Sequence, residues 1–183
     1  MQNMQTILEK FEQHLKPIVE AKDELHPPAT DDKINAAEKE LSIKFPEDLR
    51  TLYKWHNGQV GIYFLFDEFR MYTLDEVVEY YKNGIKHCEP DYFETEDESG
   101  VFKDCIANTK WIPIGDNGGN TILFLDMDPG AQGKAGQLLD ACDGEPECNY
   151  SGIKEFMTEV IRKIEMGEIN WNENAGSFWS VDE

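Results

Sequence analysis

The stretch that decides the fold is Trp111 to Asp126, WIPIGDNGGNTILFLD, answered a few residues later by Gly136-Gln137-Leu138-Leu139. It reads as strand, tight polar turn, strand, connecting loop, strand. Asp116-Asn117-Gly118-Gly119-Asn120 gathers residues that tolerate left-handed backbone angles, between the apolar runs Trp111-Ile112-Pro113-Ile114 and Ile122 to Leu125. An uninterrupted apolar run such as Ile122-Leu123-Phe124-Leu125 suits a central strand covered on both faces. A hairpin is not stable alone, so helices must cover it.

The rest of the chain supplies them. Met4, Ile7, Leu8, Phe11 and Leu15 fall at helical spacing, with Ile18 and Val19 continuing the stripe and Pro17 set to kink or end it. A second helix is expected after Thr30, a good N-cap followed by Asp31 and Asp32, with Ile34, Ala37 and Leu41 buried. A third opens at Pro46, carries Leu49, Leu52, Tyr53 and His56 on one face, and stops at a left-handed Asn57-Gly58. Val60 to Phe66 reads as a strand and Phe69 to Tyr72 as another. Thr73-x-x-Glu76 is a capping box for a fourth helix ending at Asn83-Gly84. Asp140 to Glu147 reads as an acidic turn, and Ile153, Phe156, Met157, Val160, Ile161 and Ile164 predict a last amphipathic helix from about Ser151 to Met166. The expected division is 1–29 as helix and linker, 30–167 as the main domain, and 168–183 as a tail holding Trp171, Phe178 and Trp179.

Charge narrows the function classes. Of 183 residues 37 are acidic and 17 basic, a formal net charge of −20. That field repels nucleic-acid phosphates and anionic lipid and draws in basic proteins or cations. Met1 to Glu20 has no apolar signal-peptide core, and no run approaches the roughly 18 apolar residues of a membrane helix, so a cytoplasmic location is expected. Cys88, Cys105, Cys142 and Cys148 form no Cys-x-x-Cys pair and are expected as free thiols.

Motifs for catalysis do not assemble. Gly130 to Ala135 fails the phosphate-loop pattern, with Asp128 where a glycine is needed and Ala135 where a hydroxyl is needed. Asp126 and Asp128, two apart, would face one side of a strand as a metal pair, or else end the strand and begin the Asp128-Pro129-Gly130 turn. Turn chemistry is the simpler reading. His56 is read as a helix cap, and Tyr72, Tyr80 and Tyr81 as core with a second possibility of stacking on a ligand. No enzyme activity, cofactor or metal is expected. The most conspicuous surface feature is Glu89 to Glu98, with six acidic residues and no basic one. Tyr92 and Phe93 stand in it as apolar anchors, beside Glu94, Glu96, Asp97 and Glu98. Asp116 and Asn117 at the hairpin tip make a second candidate patch for a protein partner.

In order and spacing these pieces resemble the SMI1/KNR4 family of the SUKH superfamily. The resemblance runs from about Thr30 to Ile164. It is carried by Ile34 through Leu41, Phe45-Pro46-Glu47-Asp48-Leu49, Tyr53 through Gly58, Trp111 through Asp116, Gly118-Gly119-Asn120, Leu125-Asp126, Gly136 through Leu139, and the helix near Ser151. It implies an α+β fold with a mixed, largely antiparallel sheet and helices packed against it. It also implies one of two roles: an immunity protein that neutralises a cognate toxin, often a nuclease, or a regulator of cell-wall synthesis and signalling. The acidic composition and the absence of long flexible extensions favour the immunity role, with a basic toxin as partner and neither nucleic acid nor membrane.

Overall fold

A computed structural model describes residues 3–18, 23–85, 95–96, 99–104, 108–142 and 145–180. The hairpin of Trp111 to Asp126 lies at its centre as β4 (Trp111–Asp116) and β5 (Thr121–Asp126). Before it come α1 (Met4–Leu15), α2 (Asp31–Leu41), α3 (Glu47–Trp55), β1 (Arg70–Met71), α4 (Leu74–Asn83) and the short pair β2 (Thr95–Glu96) and β3 (Lys103–Asp104). After it come β6 (Gln137–Cys142), β7 (Glu145–Tyr150), α5 (Ile153–Met166) and the closing hairpin β8 (Ile169–Asn172) and β9 (Ser177–Ser180).

The main sheet has the order β1-β4-β5-β6-β7, antiparallel at every pairing, so the fold is α+β. β5 is its middle strand, which is why Leu123 to Leu125 are buried on alternating sides. Pro113 stands in a strand paired on both sides, where its missing N–H would break the ladder. The register slips between Pro113 and Gly115, a bulge that absorbs it. Leu125, Leu138 and Tyr150 share one row of the sheet, Phe124, Leu139 and Cys148 the next, so the two rows face opposite sides. α5 covers the first face, Phe156 packing on Tyr150 and Phe69 at 5.2 and 6.3 Å between ring centroids. α4 covers the second, with Tyr80 edge-on to Phe124 at 6.2 Å.

Local signals account for most helix ends. The Thr30 hydroxyl accepts the Lys33 N–H, and the Thr73–Glu76 capping box is complete in both directions. α1 stops at Leu15, ahead of Pro17, so its buried stripe ends there and Ile18 follows outside the helix, while Val19 lies outside the described residues. It packs on α3 and α5: Phe11 is fully buried, 5.3 Å from the Phe66 ring and 6.0 Å from that of Trp55. α3 ends at Trp55, slightly before the expected Asn57-Gly58 stop, and Pro46 takes its N-cap position. The left-handed residue is Gly58, at φ +76°, and a Cβ there would come within 2.5 Å of the Tyr72–Thr73 backbone. Glycine is therefore required on two counts.

Two expectations fail. Val60 to Phe66 is not a strand but a loop with isolated bridges at Leu25–Gln59 and Phe66–Phe69. The buried Gln59 side chain does what a neighbouring strand would have done, donating to the Tyr63 carbonyl and accepting the Met71 N–H. Val60, Ile62 and Tyr63 are left exposed. The acidic segment Asp140 to Glu147, read as a turn, instead contains the end of β6 and the start of β7. An edge strand accepts Pro146 and carries Glu145, Glu147 and Asn149 toward solvent.

The β8–β9 hairpin packs on the domain. Ile169 and Phe178 are buried, and β9 is tied to the loop before β1 by the Phe178 N–H to the Phe64 carbonyl (3.0 Å) and the Phe64 N–H to Ser177 Oγ (2.9 Å). Among the described residues no helix is long and apolar enough to cross a membrane.

One buried carboxylate gives a pH test of this packing. Glu38 on α2 is only 4% exposed and accepts hydrogen bonds from Lys44, Arg50 and the Phe45 N–H. Burial pushes its carboxyl up, but those bonds outweigh burial and hold it below its ordinary value of 4.5. The folded state thus binds this proton less readily than the unfolded chain. Its stabilisation is full above the ordinary value and is lost as pH falls through the lowered one. Glu38→Gln is expected to lower stability by about 2 kcal/mol at pH 7. The deficit shrinks as pH falls below 4.5, as denaturant titrations across pH will show.

Candidate functional site

The hairpin tip is built for rigidity. The Asp116 carboxylate accepts from Arg70 Nη2 at 2.9 Å and Nε at 3.1 and 3.2 Å, and from the Gly118 N–H at 2.8 Å. Arg70 spends its remaining fork on Glu76 Oε1 (2.8 Å), whose other oxygen caps Thr73. Asn117 Oδ1 accepts the N–H groups of Gly119 and Thr121, closing the turn. Both side chains expected as a partner patch are therefore engaged within the hairpin. Tyr92, Phe93, Glu94, Asp97 and Glu98 lie outside the described residues, and Glu96 is described only as backbone in β2.

The sheet brings together an acidic group from segments distant in sequence. Thr121 pairs with Cys142, which pairs with Glu145, and Leu123 with Asp140, which pairs with Glu147. These positions share a face, and the Phe66–Phe69 turn adds Glu68 to it. The result is an open recess of about 360 Å³ lined by Glu68, Asp140, Glu145 and Glu147 with Thr121 and Cys142, and no basic side chain. Asp140 accepts Asn149 Nδ2 at 2.6 Å, yet burial foremost, and then the Glu147 charge, push its carboxyl up. The legible signal was the Glu145-x-Glu147-x-Asn149 alternation, hidden by Pro146. Among the described residues no three His, Cys, Asp or Glu are placed to hold one metal ion.

Asp126 and Asp128 are committed to structure. Asp126 is fully buried, its two oxygens accepting the Asp128 N–H (2.8 Å) and Gln137 Nε2 (2.9 Å). Burial nonetheless raises its pKa. Asp128 pairs with Lys103 at 2.8 Å and Asn108 at 3.1 Å. His56 Nδ1 donates to the His26 carbonyl at 2.6 Å and its ring stands edge-on to Trp55.

Two further recesses differ in character. One, about 700 Å³, lies between α1 and the start of α5; its lining mixes Lys134 and Lys154 with Asp48, Glu155 and Glu159, and Lys154 is paired to Asp48. The other, about 480 Å³, lies beside Arg70 between β1 and α4 and is walled by Tyr72 and Tyr80. Tyr81, by contrast, is core, its hydroxyl donating to the Thr109 carbonyl. Arg70 pairs with Asp116 and Thr121 with Cys142. The register therefore places this tyrosine recess and the acidic one at the hairpin end of the sheet, on opposite faces.

The chain is similar to the "Cell wall assembly regulator SMI1" of Saccharomyces cerevisiae, 27% identical over 155 residues. The alignment covers 63% of this chain and 30% of that protein's length. The model of the SMI1 / KNR4 family (SUKH-1) matches residues 28–159, which take in α2 through the first half of α5 and the whole main sheet. The chain belongs to the SMI1/KNR4 family.

Proposed function

We propose that this protein is a non-enzymatic recognition module that binds and neutralises a basic protein, an immunity protein acting on a cognate toxin such as a nuclease. The observation that carries the reading is the acidic recess on a chain of net charge −20. A protein that binds polyanions presents a positive cleft, and a rigid acidic surface competes for it while steering the encounter. The recess at Glu68, Asp140, Glu145 and Glu147 is one proposed contact surface, and Tyr92, Phe93, Glu94, Glu96, Asp97 and Glu98 are a second proposed set of contacts. Asp116 and Asn117 contribute by holding the hairpin tip in shape. A cytoplasmic location follows from the same reading.

A second reading is a regulatory scaffold for cell-wall or signalling proteins. The similarity to the yeast cell wall assembly regulator favours it. Co-expression separates the two. Growth arrest caused by a toxin encoded beside this chain, relieved when the chain is supplied, supports the first. Absence of any such toxin, with altered cell-wall sensitivity on deletion, supports the second.

A further inference from the structure

We propose that the recess between β1 and α4 receives a single cationic side chain, arginine or lysine, projecting from a protein partner. Only the partner's being a protein rests on the reading above; the recess stands on its own geometry. Tyr72 and Tyr80 form its aromatic wall, their ring centroids 6.0 Å apart and their planes 32° from parallel. Tyr80 is held by its edge-on contact with Phe124. The molecule already shows what this wall accepts: the Arg70 guanidinium carbon lies 4.9 Å over the Tyr72 ring.

The electrostatics favour a second cation. The Arg70 charge is answered by both Asp116 and Glu76. Glu79, one turn beyond Glu76 on α4, is exposed, lines the recess and makes no ion pair among the described residues. The recess also lies at the C-terminal end of α4, toward which the helix dipole is negative. Lys82, the basic residue of that last turn, is turned away into an ion pair with Glu40 at 2.6 Å. Gly84 forms part of the rim, where a Cβ would lie 3.7 Å from Tyr80 Cε1. A carboxylate or phosphate guest would meet Glu79 and the helix terminus with the wrong sign. A neutral apolar guest would leave Glu79 unanswered.

The test uses the full chain with tyrosine rings isotope-labelled and two capped tripeptides, acetyl-Gly-Arg-Gly-amide and its citrulline counterpart. Citrulline keeps the shape and removes the charge. The arginine peptide is expected to shift the Tyr72 and Tyr80 ring resonances saturably. Citrulline is expected to bind about fivefold more weakly, and Glu79→Gln to weaken the arginine peptide by a similar factor. Glu9→Gln, an exposed change on α1 outside the recess, leaves the titration unchanged. Equal binding of both peptides, shifts that do not saturate, or indifference to Glu79→Gln would overturn the proposal. Failure of the toxin reading would appear separately, as no protection on co-expression with the peptide titration intact.

Discussion

Phe11→Ala lowers the stability of the whole chain by about 4 kcal/mol and its melting temperature by about 10 °C. The residue belongs to a helix outside the matched family region, which begins at residue 28. Were that helix an appendage, its loss would leave the sheet's own stability unchanged. The structure gives the opposite account. Phe11 is fully buried against Trp55 and Phe66, and Met4, Ile7, Leu8 and Leu15 complete a buried stripe. Glu12 accepts from Trp55 Nε1, and Lys10 pairs with Glu165 at 2.9 Å. Removing the ring leaves a cavity that Trp55 and Phe66, each held by its own surroundings, cannot fully close. Thermal and urea unfolding will show the loss in a single transition; a change below about 1 kcal/mol, or a separate early transition, contradicts it.

The second large effect concerns association. Reversing Glu145 and Glu147 to lysine is expected to slow binding of the cognate partner about 30-fold at low salt, with little change in dissociation. Both side chains point to solvent from an edge strand, so the fold tolerates the change. A parallel variant reversing Glu94, Glu96, Asp97 and Glu98 apportions the field between the two acidic segments. If stopped-flow rates leave the Glu145/Glu147 variant at wild-type speed while the Glu94–Glu98 variant slows, the recess is not the contact surface.

Much of this fold was legible because its decisive signals are local. Asn117-Gly118-Gly119-Asn120 makes the turn its composition announces, although Asp116 before it still belongs to β4. Thr30 and Thr73 cap helices wherever the chain goes, and the α5 stripe has one period. The misreadings came where a distant partner decides. Val60 to Phe66 has the composition of a strand, but the buried Gln59 satisfies the backbone there and no neighbouring strand pairs along it. β7 was concealed because Pro146 and two glutamates are poor strand formers. They are tolerated on an edge, a position that only the sheet order reveals. The tyrosine recess was half visible. Tyr72 and Tyr80 stood out, but that Arg70 would stack on one of them, held by Asp116 forty-six positions away, depended on the β1–β4 pairing.

The central claim is that a negatively charged surface on a rigid α+β body captures a basic protein. It is tested most directly by the association rate constant of the wild-type chain with its cognate partner across an ionic-strength series. That rate is expected to fall at least about tenfold between low and high salt while dissociation stays nearly constant. An association rate indifferent to salt would contradict it.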